Sequence, residues 1–146
     1  MRTQSKKNDL ALETDASVVS VSSGGSYTTG IPADKKSFLV FKHNKYIIVA
    51  TENIAFFYVK YETSIIVCAD RQEYPVNYSL EHLQSLLGDK QFFRLNRQYL
   101  VNFSSVKEVE HYFARKLLVK LSVTTPEKLL VPKERVSNFL HWLENR

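Results

Sequence analysis

The sequence predicts a mostly β domain with one short helix after Ser79 and a second helix at its C-terminus. Three observations carry that prediction. From Ser37 onward, short runs rich in Val, Ile, Phe and Tyr follow one another closely, as strands do. The breaks between the first runs are two or three residues long, the length of hairpin turns. Only two segments set their apolar residues at helical spacing.

The first strands are FLVFKH (38–43) and KYIIVA (45–50), around a tight turn at His43-Asn44. NIAFFYVK (53–60) and SIIVCA (64–69) follow, separated by Tyr61, Glu62 and Thr63. EYPVNY (73–78) contains Pro75, which has no backbone donor and so marks an edge strand or a bulge. Ser79 has the chemistry of an N-cap. Leu80, Leu83, Leu86 and Leu87 then share a helical face, His82 lies opposite, and Gly88 suits the stop. Further strands fall at 106–113, 116–123 and 128–132. From Glu134, Val136, Phe139, Leu140 and Leu143 recur at helical spacing, with Trp142 flanking them, and predict a terminal helix packed on the sheet.

Residues 1–35 read as a flexible tail or interdomain linker, and residues 36–146 as one domain. Ser17 to Pro32 is rich in Ser, Gly and Thr and poor in bulky apolar side chains, so it buries too little surface to offset its ordering entropy. A weak strand pattern stands at Ser17–Val21. No apolar run approaches the roughly 20 residues that span a bilayer, and the first residues lack a secretory apolar core. Cys68 is the only cysteine and sits in an apolar run, so it reads as a buried reduced thiol. A cytoplasmic location follows.

The net charge of +5 is unevenly placed. Cations and anions cancel over residues 1–35 and again over 36–87. Residues 88–146 hold eleven cations and six anions, so the whole excess lies there. Such a half attracts polyanions. It contains FFRLNRQYLVN (92–102). There Arg94, Asn96, Arg97 and Gln98 are side chains suited to phosphate oxygens and base edges. Phe92, Phe93, Leu95, Tyr99, Leu100 and Val101 would fix them to a core.

Catalytic and metal chemistry find no support in the residues. His43, His82, His111 and His141 are scattered without ligand spacing, and one cysteine makes no zinc site. No Gly-rich phosphate loop, nucleophile elbow or paired carboxylate set is present. No cofactor and no catalytic residue is expected, and the chain reads as a binding module. Residues alone leave three kinds of partner open: duplex DNA, single-stranded DNA or RNA stacked on aromatics, and another protein.

FFRLNRQYLVN, the following Ser105-Val106-Lys107-Glu108-Val109, Tyr112 to Leu117, and the closing Val131-Pro132-Lys133-Glu134-Arg135-Val136 resemble the LytTR domain, the DNA-binding output domain of many bacterial response regulators. The resemblance covers about residues 37–144. It implies antiparallel β-sheets with little helix, and recognition of double-stranded DNA by loops without a helix-turn-helix. It further implies direct-repeat half-sites in successive major grooves, a bent duplex and a homodimer on DNA. A receiver domain and a sensor histidine kinase are partners the family implies, and neither is visible in this sequence. Residues 1–35 resemble the connector that follows a receiver.

The resemblance also implies three DNA-facing loops. The first holds Lys60, Thr63 and Ser64, the last two where some relatives place a base-contacting His; Glu62 there would repel phosphate. The second holds Arg94, Asn96, Arg97 and Gln98, with Asn96 at a common His position and Arg97 at an Asn position. The third holds Lys133 and Arg135, the latter matching a base-contacting Arg. Lys116 matches a basic strand-start position that touches phosphate. Lys60 and Lys133 suit phosphate better than bases, because an ammonium is a point charge without a fixed fork.

Overall fold

Three antiparallel sets of short strands organise residues 34–146, the residues that the structure, a computed structural model, describes. The strand pattern at Ser17–Val21 lies outside them, as does nearly all of the proposed linker. Strands β1 (Ser37–Lys42) and β2 (Lys45–Ala50) form a hairpin whose turn residues, His43 and Asn44, both adopt positive φ. β3 (Ile54–Lys60), β4 (Thr63–Cys68), β5 (Glu73–Val76), β6 (Phe92–Arg94) and β7 (Tyr99–Asn102) form an antiparallel sheet in the order β5-β4-β3-β7-β6. Pro75 accordingly stands in an edge strand. β8 (Val106–Tyr112), β9 (Lys116–Leu121) and β10 (Leu129–Val131) form a second antiparallel sheet in the order β10-β9-β8.

The five-stranded sheet is buried on both faces. On one face Ile54, Phe57, Ile66 and Leu100 meet Phe38, Val40 and Val49 of the hairpin and Leu80 and Leu83 of helix α1 (Leu80–Leu86). On the other, Phe56, Tyr58, Tyr99 and Val101 meet Leu117, Val119, Leu129 and Val131 of the second sheet and Phe139 of helix α2 (Val136–Glu144). A register shift between Ile54 and Phe56 lets Ala55 and Phe56 serve the same core. Each buried Phe or Leu contributes about 1.5–3 kcal/mol of transfer free energy, which makes this central sheet the main source of stability.

Phe92–Arg94 and Tyr99–Asn102 are strands that the sequence reading did not assign. They are only three and four residues long, and the polar set between them breaks the alternation. Their pairing comes from the neighbour: Tyr99, Leu100 and Val101 face Tyr58, Phe57 and Phe56 of β3. Asn102, fully buried, anchors the end of β7. Its Nδ2 donates to Ile54 O at 2.8 Å, and its Oδ1 accepts from Ser104 N at 3.0 Å and from Gln91 Nε2.

Both helices differ in detail from the periodic reading. In α1 the Ser79 hydroxyl accepts from His82 N at 3.0 Å, as an N-cap does, but the helix ends at Leu86 and Leu87 is extended, one residue before Gly88. A 3-10 turn occupies Lys133–Arg135, so α2 starts at Val136 rather than Glu134. Leu140 is 45% exposed, whereas Trp142 is 9% exposed. The two flank the Phe139–Leu143 stripe on opposite sides. Only the Trp side meets Phe93 and Phe103 and offers an acceptor, Asp89 O, to Nε1 at 2.9 Å.

The folded unit takes in Lys35. Its N–H donates to Leu86 O at 2.9 Å and its carbonyl accepts from Thr51 Oγ1 at 2.7 Å. Cys68 is buried as read, and burial, then the Asp70 charge, push its thiol up to about 11.

Burial, then the charge of Glu127 and then Tyr58, push the Tyr99 hydroxyl up to about 12. A raised folded-state value means that the stability tied to neutral Tyr99 is complete below about pH 10. It is lost as pH climbs toward about 12. Tyr99→Phe should therefore move the alkaline unfolding midpoint to higher pH, followed by circular dichroism. An unmoved midpoint would assign the alkaline limb to other groups.

Candidate nucleic-acid interface

Strand register brings four separate segments to one end of the fold. The Lys60–Thr63 pair closes the β3–β4 hairpin at that end. Pairing of Tyr58 with Tyr99, and Val59 N donating to Gln98 O at 3.1 Å, set the β6–β7 loop beside it. Asn96 Nδ2 donates to Leu130 O at 3.0 Å and ties that loop to β10 in the other sheet. Leu117 pairs with Val131 and Lys116 with Tyr112, so the Pro132 turn and the β8–β9 tip share this end.

The β6–β7 loop is rigid for identifiable reasons. Leu95 is fully buried, and its N–H donates to Tyr99 O at 3.0 Å. Asn96 Oδ1 accepts from Gln98 N at 2.8 Å and Tyr99 N at 3.1 Å, a local side-chain turn. Arg94 donates from Nε to Asn96 O at 2.8 Å and from Nη2 to Arg97 O at 2.9 Å. Arg94 and Asn96 thus build the loop from inside. Arg97 and Gln98 point outward and are exposed. Among the described residues, no protein hydrogen bond holds the side chain of Arg97, Gln98 or Arg135.

Arg94, Asn96, Arg97 and Gln98 line one open groove with Pro132, Glu134 and Arg135. Arg135 closes the short turn, its N–H donating to Pro132 O at 2.9 Å. Burial first, then the nearby Arg135 charge, lower the Arg94 guanidinium below its usual value, against an opposing effect of Glu81. Three arginines against one carboxylate, Glu134, leave this open groove positive and make it a site for anions. Glu108 and Glu110 of β8 hold Lys120 at 3.5 and 3.2 Å and not these arginines.

The other sequence-nominated residues divide. Lys60 and Thr63 are exposed at the base of the β3–β4 tip, and Tyr61 and Glu62 form the tip at positive φ. Ser64 is 5% exposed and paired in β4 opposite Val59 and Val76, so its hydroxyl does not reach the surface. Lys133 is exposed on the turn but does not line the groove. Lys116 is half-buried, with Nζ over the Phe113 ring at 5.7 Å. The sequence reading gave no role to Phe113 or Arg115, both exposed at the β8–β9 tip. The signals for them were the break between two strands and their place in the family-like run Tyr112 to Leu117. Among the described residues no acidic, His or Cys cluster could hold a metal ion, and no helix is long and apolar enough to cross a membrane.

The family model of the LytTr DNA-binding domain matches residues 44–144. The chain belongs to that family. Among solved structures it is similar to the LytTr DNA-binding domain of a Bacillus cereus protein titled a methyl-accepting/DNA response regulator, at 19% identity and a TM-score of 0.66. That likeness covers 75% of this chain and 98% of the other and concerns the fold. No curated protein matches.

Because Asn96 satisfies backbone groups in both sheets, Asn96→Ala should cost about 1–3 kcal/mol. Arg97→Ala should leave stability unchanged within about 0.5 kcal/mol. Urea titration of both variants checks the contrast. Equal losses would contradict the division between the inner and outer side chains of this loop.

Proposed function

We propose that this LytTr domain reads double-stranded DNA in a sequence-specific manner and regulates transcription, without catalysis. The observation that carries the reading is the groove where Arg97, Gln98 and Arg135 converge from two loops on a backbone pinned by Asn96. Family membership makes DNA the partner. Arg97 and Arg135 are the base readers, each worth about 1–3 kcal/mol of discrimination when bidentate to guanine. Gln98 and Thr63 add polar contacts at the same end. Lys60, Lys116 and Lys133 neutralise phosphates, with counterion release making affinity salt-dependent. Arg94 and Asn96 act by positioning, and the burial of Ser64 removes it from the contacting set.

The footprint of one domain is small, so two copies occupy direct-repeat half-sites, and linkage between them raises avidity. A receiver domain and its kinase supply the signal, and the protein works in the cytoplasm. A single-strand reading has one observation in its favour, the 90% exposure of Tyr61. It requires Tyr61→Ala to harm binding more than Arg97→Ala does.

Selection from random duplexes against a single-stranded control tests the proposal. Enrichment of a duplex motif repeated in one direction, about one helical turn apart, is the expected result. Enrichment only in the single-stranded arm would sink it. On the enriched duplex, Arg97→Ala should weaken specific binding more than non-specific binding. Lys116→Ala should lower the salt slope by about one.

A further inference from the structure

The β8–β9 tip shares its construction with the β3–β4 tip. Each closes on two successive non-glycine residues at positive φ, Ala114 and Arg115 in one, Tyr61 and Glu62 in the other. Each carries a large exposed aromatic, Phe113 at 70% and Tyr61 at 90%. In each, the strand-end lysine lies over that ring, Lys116 at 5.7 Å and Lys60 at 5.8 Å. A single exposed aromatic on a protein surface needs no explanation. The same three features on two tips, at the end of the fold that holds the basic groove, do.

Register gives the position. Leu117 pairs with Val131 at the edge of the Pro132 turn. Lys116 continues the strand past that pair and the Ala114-Arg115 turn closes beyond it, so the tip projects past the edge of the Pro132 turn. The Tyr61 tip stands beside the β6–β7 loop and the Phe113 tip beside the Pro132 turn, at the end of the fold that holds the groove. Phe113 is braced in its exposed position by Tyr112, with ring centroids 4.7 Å apart, and by Lys116. An apolar ring with the Lys116 ammonium over it and Arg115 two residues on in the same turn matches the alternation of deoxyribose and phosphate along a DNA strand. The ring covers the apolar sugar face, and the cations meet the phosphates on either side.

We infer that the β8–β9 tip is a further DNA-contacting arm, in which Phe113 packs on a backbone deoxyribose while Arg115 and Lys116 hold the flanking phosphates. This inference rests on the duplex-DNA reading above. The arm adds affinity and fixes the register of the groove without reading bases.

The test uses the full chain and a duplex carrying the enriched motif. Phe113→Ser should lower affinity about tenfold, within the range for loss of an aromatic contact to a nucleotide. The salt slope should not change, since no charge is lost, and one backbone sugar should regain hydroxyl-radical cleavage. Arg115→Ala should lower the salt slope by about one instead. Phe41→Ser serves as control, because Phe41 is an exposed aromatic of the β1–β2 hairpin, next to a tip whose Lys42 bonds Glu73 O at the other end of β5. It should bind like the parent chain. If Phe113→Ser binds like the parent while Arg97→Ala is impaired, the arm is overturned and the DNA reading stands. If Phe41→Ser loses as much as Phe113→Ser, the effect is general and the arm is likewise overturned. If the parent chain binds no duplex, both readings fall together.

Discussion

The side chain of Asn96 is the constraint on which the nucleic-acid end depends. Its amide nitrogen reaches Leu130 O in one sheet, and its carbonyl oxygen holds Gln98 N and Tyr99 N in the other. Three hydrogen bonds from one residue join two sheets that pack on each other through apolar side chains. Apolar packing is non-directional and tolerates sliding, whereas a hydrogen bond fixes position to a fraction of an ångström. Arg97 and Arg135 come from segments nearly forty residues apart. They can present one fixed pattern only because this pin sets the spacing between their loops.

Arg94 shows why a basic residue in a binding loop need not be a contact. Its guanidinium is spent on two backbone carbonyls of its own loop. It stays charged at neutral pH, because the lowering by burial and Arg135 starts from a very high value. Its charge still adds to the field of the groove while its geometry stiffens the loop. A pre-ordered loop loses less conformational entropy when it binds, which favours the complex.

The hairpin tips run the other way and spend stability. Positive φ at a non-glycine residue costs about 1–2 kcal/mol. Tyr61, Glu62, Ala114 and Arg115 all adopt it where glycine or asparagine would relieve the strain. The central sheet, with Phe56, Phe57, Leu100 and Val101 wholly buried, is strong enough to tolerate those local losses. Stability sits in the middle of the molecule and chemistry at one end.

Much of this was legible in the residues. Strands such as 45–50 and 64–69 declared themselves because they are short runs of β-branched and aromatic residues bounded by turns, and composition is a local property. Pro75 marked an edge because its missing donor is a property of one residue. The family followed from the order and spacing of short motifs, and the residue types that meet nucleic acid were visible in FFRLNRQYLVN. Tertiary structure alone decided the rest. It made strands of Phe92–Arg94 and Tyr99–Asn102, since such short runs hold only when β3 supplies partners. It chose Trp142 over Leu140 for the core, because a carbonyl and an aromatic cluster lie on one side only. It buried Ser64, turned Arg94 and Asn96 inward and left Arg97 outward. Composition cannot tell a side chain that holds a loop from one that the loop holds out, because that depends on which acceptors the second sheet brings within hydrogen-bonding distance.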